Sequence, residues 1–185
     1  MSEPQDKGAK VLAWWRTNLA ARTQIQPDKE TEEGRREAQV AQKQAQTAAR
    51  ALSAKLRRGT YPAILFEPQV QNLLHQIQPK GDALKRFCQL LNVLGEVREY
   101  DHASLAKRLK GGDKEPLLSH LRFKQLMTAE DDELATLLRR AVAVAGNRCN
   151  VAMLARDMLA WNDQTRAHWC LEYFGVGERR IKAES

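Results

Sequence analysis

At 185 residues and 43% hydrophobic content, the chain suits one domain or two small ones with a core to bury, which excludes a disordered polymer. Thirty Lys and Arg against twenty-three Asp and Glu leave a net charge of +7 and a pI near 9.5, a balance that favours an anionic partner. No apolar run approaches the ~20 residues of a membrane span and MSEPQDKG lacks a signal-peptide core, so a cytoplasmic protein with no membrane partner is expected.

The first helix is expected over Ala9–Ala21, where Val11, Leu12, Trp15 and Leu19 recur at helical spacing. Adjacent helical residues point about 100° apart, so one ring of Trp14 and Trp15 is expected inward and the other at the boundary. Core packing is favoured over base stacking for both. Thr23–Lys29, with Pro27, reads as a linker.

A long helix follows, roughly Thr31–Arg58, rich in the good helix formers Ala, Gln and Arg. Its expected apolar stripe is Ala41, Ala45, Ala48, Leu52 and Leu56. Arg36, Lys43, Arg50 and Arg57 recur every seven residues on another side, stepping about 10.5 Å along the axis. Residues 34–66 hold seven basic residues and one acid, Glu37. A solvated helix commonly mixes Glu with Lys to gain i,i+4 pairs; this one forgoes the acids and suits an anionic surface. A plain solvated face is the alternative.

Gly59 ends that helix and Tyr61-Pro62 makes the turn. Phe66–Ile77 is expected as a short helix with Val70, Leu73, Leu74 and Ile77 inward, and Pro68 is tolerable in its first turn. Pro79-Lys80-Gly81 separates it from a helix at Asp82–Arg98, whose inward residues are Leu84, Phe87, Cys88, Leu91 and Leu94. A boundary follows at Tyr100–His102, then a short helix at Ser104–Leu109 and a loop at Lys110–Lys114, closed by Pro116.

In the C-terminal stretch Thr128 is expected to cap a helix whose first turn, Glu130–Glu133, is acidic as the dipole favours. Leu134, Leu137, Leu138, Ala141, Val142 and Ala145 form its apolar face, and Gly146 ends it. Asn150 caps the next helix, with Val151, Leu154, Ala155, Met158 and Leu159 on one face. Asp163 starts a third, with Ala167, Cys170, Leu171 and Phe174 inward. No strand alternation appears anywhere. The chain reads as all-α: two small helical bundles joined by a short linker, over 8–100 and 101–176, with flexible tails at 1–7 and 177–185.

No catalytic constellation is visible. His75, His102, His120 and His168 have no partner at metal-ligand spacing, and phosphate-loop, dinucleotide and nucleophile-elbow motifs are missing. Cys88, Cys149 and Cys170 are odd in number and far apart, which fits buried thiols better than disulfides. Ser119-His120 reads as a helix cap and a surface residue. Neither enzyme activity, cofactor nor metal is expected. The positive signal is arginine: Arg122 and Lys124 stand off the Phe123–Leu126–Met127 face, Arg139 and Arg140 flank Leu137–Leu138, and Arg156 follows Ala155. Singly each reads as a rim arginine or an ion-pair partner. With Arg57 and Arg58 they form a candidate phosphate-binding set, because a planar guanidinium binds phosphate bidentately without reading bases.

Ser119–Leu126 (SHLRFKQL), Leu137–Arg140 (LLRR) and Asn150–Trp161 (NVAMLARDMLAW), with LRRG at Leu56–Gly59, resemble the CasB family, the small subunit of the type I-E CRISPR effector complex, Cascade. The resemblance spans most of the chain in order and departs at Lys29–Lys55, which is longer and richer in Gln and Ala. It implies a two-bundle subunit, present in two copies, whose basic residues contact nucleic acid in the R-loop. On the matching motifs it carries a nucleic-acid role to Arg57, Arg58, Arg122, Arg139, Arg140 and Arg156. The implied partners are crRNA, the target and non-target DNA strands, the backbone and large subunits, and a second copy of the chain. Arg36, Lys43 and Arg50 form a secondary basic stripe. The competing readings are a helical adaptor or chaperone whose basic face binds an acidic protein, and a helix-turn-helix regulator turning at Gly146–Cys149.

Overall fold

The computed structural model describes residues 4–20, 32–112 and 115–176. Among them are nine helices: α1 Pro4–Asn18, α2 Glu32–Arg58, α3 Pro68–Ile77, α4 Asp82–Leu94, α5 Leu105–Lys110, α6 His120–Thr128, α7 Asp131–Val144, α8 Val151–Leu159 and α9 Asp163–Phe174. The all-α class holds. The linker expected at Thr23–Lys29, residues 1–3 and 177–185 of the expected tails, and Asp113–Lys114 lie outside the described residues.

Helix α1 starts at Pro4, earlier than expected, and both of its tryptophans are buried. The expected split between an inward and a boundary ring fails because α1 is covered on more than one side: α8 packs along it, and α3 and α2 close the rest. Trp14 satisfies its ring N–H by donating to the Gln69 carbonyl of α3 at 2.8 Å. Gly8 lets α1 lie close on α8, since a Cβ there would stand 2.5 Å from the Ala152 carbonyl oxygen.

Helix α2 packs on α4 through its C-terminal half. Its buried residues are Ala49, Leu52, Ser53 and Leu56, not the expected alanine stripe; Ala41 and Ala48 are exposed and Ala45 is half-buried. Ser53 enters the core because its hydroxyl donates to the Gly95 carbonyl at 2.7 Å. Gly95 is itself tight, for a Cβ there would meet the Arg57 side chain at 2.8 Å. A 3-10 turn at Ala63–Phe66 then anchors through the buried Ile64. Helix α4 ends at Leu94, short of the expected Arg98, and lies between α2 on one side and α7 and α8 on the other.

Two strands of two residues, β1 (Glu99–Tyr100) and β2 (Arg148–Cys149), pair in parallel, with Glu99 opposite Arg148 and Tyr100 opposite Cys149. They were not expected; two residues are too few to show a period. Flanking bonds extend the ladder, from Arg98 N–H to the Asn147 carbonyl at 2.7 Å and from Asp101 N–H to the Cys149 carbonyl at 3.0 Å. Burial pushes the Cys149 thiol up to about 12 and leaves it protonated.

In the C-terminal part, Asn150 caps α8 by accepting from Met153 N–H at 3.0 Å, as expected. Thr128 does not cap α7. It is the last residue of α6 and donates back to the Lys124 carbonyl at 3.1 Å, while Glu130 takes the cap position without a side-chain bond. On α9 the inward residues are Trp169 and Tyr173, whereas Leu171 and Phe174 are 50% and 54% exposed and Ala167 is exposed. The register follows partners for polar atoms. Trp169 donates to the buried Asp157 carboxylate at 2.8 Å, and Tyr173 stacks on Phe123 at 3.8 Å and donates to the Leu118 carbonyl. One continuous buried cluster runs from Val11 to Tyr173 and includes residues of every helix.

Candidate nucleic-acid interface

Helix α7 divides two basic clefts. The cleft on the α6 side has a volume of about 440 Å³ and is floored by Leu118, Leu126, Leu137, Ala141 and Val144. Arg122 of α6 and Arg140 of α7 stand on its walls. Their spacing follows from helix geometry: Leu126 and Leu137 fill the inner rows, so the guanidinium stems rise beside them. Among the described residues neither arginine meets a carboxylate within ion-pair distance, and no carboxylate lines this cleft. Lys124 is also exposed on α6, outside the cleft.

The cleft on the other flank, about 410 Å³, lies between the C-terminal end of α2, the turn after it, α4 and α7. Arg57, Arg58, Tyr61, Lys85 and Arg139 line it with Asn92, Asp132 and Thr136. A polar framework fixes its walls. The Asn92 amide donates to the Leu56 carbonyl at 2.6 Å and the Gly59 carbonyl at 2.8 Å, capping the carbonyls that α2 leaves open at its end. Glu96 sits between two guanidiniums, with Arg139 at 2.7 Å and Arg57 at 3.7 Å. Lys85 faces Asp131 at 3.6 Å and Asp132 at 3.7 Å. Arg58 is the cation of this cleft that meets no carboxylate among the described residues. Cys88 at its floor is a buried thiol pushed up to about 11 by burial, hence unreactive.

The structure thus brings Arg57, Arg58 and Arg139 together in one cleft and Arg122 and Arg140 in the other. Arg156 stands in neither; it pairs with Asp157 at 3.3 Å on α8. Arg36, Lys43 and Arg50 are exposed along α2, and Lys43 borders a shallow groove with Val40, Gln44 and Thr47. Among the described residues no group of three or more His, Cys, Asp or Glu side chains is placed to hold a metal ion, and no helix is long and apolar enough to cross a membrane.

The family described as CRISPR-associated protein Cse2 matches residues 8–174. The chain belongs to that family. It is the CasB family of type I-E Cascade that the motifs resemble. A CRISPR-associated protein Cse2 of Thermus thermophilus is 31% identical over 128 residues, covering 64% of this chain and 72% of that protein. No solved structure matches the chain.

Beside the family's motifs, the geometry adds residues that sequence reasoning passed over. Lys85 lies on the half-buried flank of α4, where counting apolar residues gives it no mark. Tyr61 carries only a turn signal in the sequence. Glu96, which ties two of the expected phosphate ligands together, carries no sequence signal, because its partners are 39 and 43 residues away.

Proposed function

We propose that this chain is the non-catalytic, nucleic-acid-binding small subunit of a type I-E Cascade complex in antiviral defence. It stabilises crRNA–target pairing and the displaced strand of the R-loop through backbone contacts, while guide pairing selects the sequence. Its protein partners are the backbone and large subunits and a second copy of itself. The carrying observation is the pair Arg122 and Arg140 in an acid-free cleft. Two guanidiniums that meet no carboxylate among the described residues hold an electrostatic surplus that a phosphodiester backbone satisfies. Arg58 and Lys124 extend the surplus over neighbouring surface. Family membership supplies the complex in which this happens.

The test is R-loop formation by the complex assembled with Arg122→Glu/Arg140→Glu, across a salt series and on unrelated target sequences. Binding is expected to weaken on every sequence alike, and the salt slope to fall by about 0.7 for each single-strand phosphate contact removed. Leu138→Asp, at a fully buried position, is the folding control. Wild-type affinity and slope in the double variant would assign the cleft to a protein neighbour instead.

A further inference from the structure

Most aromatic rings of the chain are in the core, where they explain themselves. Tyr61 is 54% exposed, on the wall of the cleft that also holds Arg57, Arg58, Lys85 and Arg139. We propose that Tyr61 is a stacking platform for one unpaired base of a single-stranded nucleic acid whose phosphate is held by Arg58. The inference rests on the nucleic-acid reading above and adds to it a base contact, which no arginine of the set provides.

Three observations carry it. First, the ring stands on a fixed support. The preceding carbonyls of α2 are capped by Asn92, Ile64 N–H donates to the Thr60 carbonyl at 2.9 Å, and Ile64 is buried beneath the turn. Lys55 and Glu67 close the turn from outside at 2.8 Å. A ring on a rigid turn loses little freedom when a base lands on it, which is the condition for stacking to contribute to affinity. Second, the core does not use this ring: it has no ring partner among the described residues, in contrast to Tyr100, Tyr173, Trp161 and Trp169. Third, charge and ring lie together. Glu96 occupies Arg57 and Arg139, and Asp131 and Asp132 occupy Lys85, so among the described residues Arg58 is the cation left for a phosphate in the cleft whose wall is Tyr61. An exposed aromatic beside a free guanidinium in a basic groove is the arrangement that binds single strands without reading sequence, since every base offers a π-face. Phe66 is more exposed still, at 78%, but lines neither cleft and serves as an internal control.

The experiment uses complexes assembled with the full chain and an R-loop whose displaced or target strand carries 5-iodouracil, which on irradiation couples to an aromatic ring stacked on it. The expected result is an adduct on the peptide containing Tyr61 and a loss of about tenfold in affinity for Tyr61→Ala, with Tyr61→Phe near wild type and Phe66→Ala unchanged. Wild-type affinity in Tyr61→Ala together with no adduct at Tyr61 overturns the stacking platform. If Arg58→Glu still weakens binding in that case, the phosphate reading stands without it. Strand binding left unchanged by Arg58→Glu and by Arg122→Glu/Arg140→Glu alike overturns both.

Discussion

Arg139 holds Glu96 with two hydrogen bonds, from Nε at 3.1 Å and Nη2 at 2.7 Å, and so joins α7 to the end of α4. Its sequence neighbour Arg140 points to the other flank of α7 and meets no carboxylate among the described residues. A doublet that reads as one unit therefore divides into a positioning residue and a free cation. Glu96→Gln and Arg139→Ala should each lower stability by about 1 kcal/mol, the scale of a partly exposed charged pair in which two N–H groups share one carboxylate oxygen. Arg140→Ala should leave stability within about 0.5 kcal/mol, as surface substitutions do, and weaken strand binding instead. Denaturant titrations of the three variants decide it; equal stability losses for Arg139→Ala and Arg140→Ala would contradict the division.

How far the sequence reveals the molecule depends on what selects each face. Where apolar spacing alone selects the buried face, as on α3, α7 and α8, Val70, Leu73, Leu138 and Leu154 are inward as their spacing requires. The reading fails where polar atoms choose the face. On α9 Trp169 and Tyr173 turn inward because Asp157 and the Leu118 carbonyl accept their hydrogen bonds, and Leu171 is left outside. On α2 the alanines at 41 and 48 carry the helical period yet stand exposed, while Ser53 is buried by a single bond to Gly95. The arginines themselves were legible, but not their grouping. Helical phase places Arg139 and Arg140 about 100° apart, yet only tertiary packing shows that Glu96 is on one side and an acid-free cleft on the other.

Gly8 gives a test in which two rules oppose each other. Alanine exceeds glycine in helix propensity by about 1 kcal/mol, so Gly8→Ala in the middle of α1 would stabilise a free helix. Here the added Cβ would lie 2.5 Å from the backbone oxygen of Ala152, and backbone cannot rotate away. Gly8→Ala is expected to destabilise the protein by about 1–3 kcal/mol as α1 is forced off α8. A lower denaturation midpoint with an unchanged m-value would agree; a rise in the midpoint would show that the two helices separate at no cost.

Asp101 supplies the pH dependence. Its carboxylate accepts from Ala103 N–H at 2.9 Å and Arg108 Nη1 at 2.6 Å, and Arg148 Nε stands 3.2 Å away. The Ala103 N–H, with the charges of Arg108 and Arg148, holds its pKa below the usual carboxylate value, against an opposing push from burial. A depressed folded-state pKa means that the unfolded chain takes up the proton first as pH falls. The stabilisation is therefore complete above the unfolded value, about 3.9, and is lost as pH drops through the lower folded value. Arg108 also donates to the Ala145 carbonyl, so the group pins the end of α7 to the strand pair and α5. Asp101→Asn removes the charge while keeping the shape, and should cost about 2 kcal/mol at neutral pH. Denaturant titrations of both proteins from pH 7 downward should show that gap narrowing below about pH 4. A gap that stays constant into acid, or none at pH 7, would mean that the carboxylate charge is not what holds this junction.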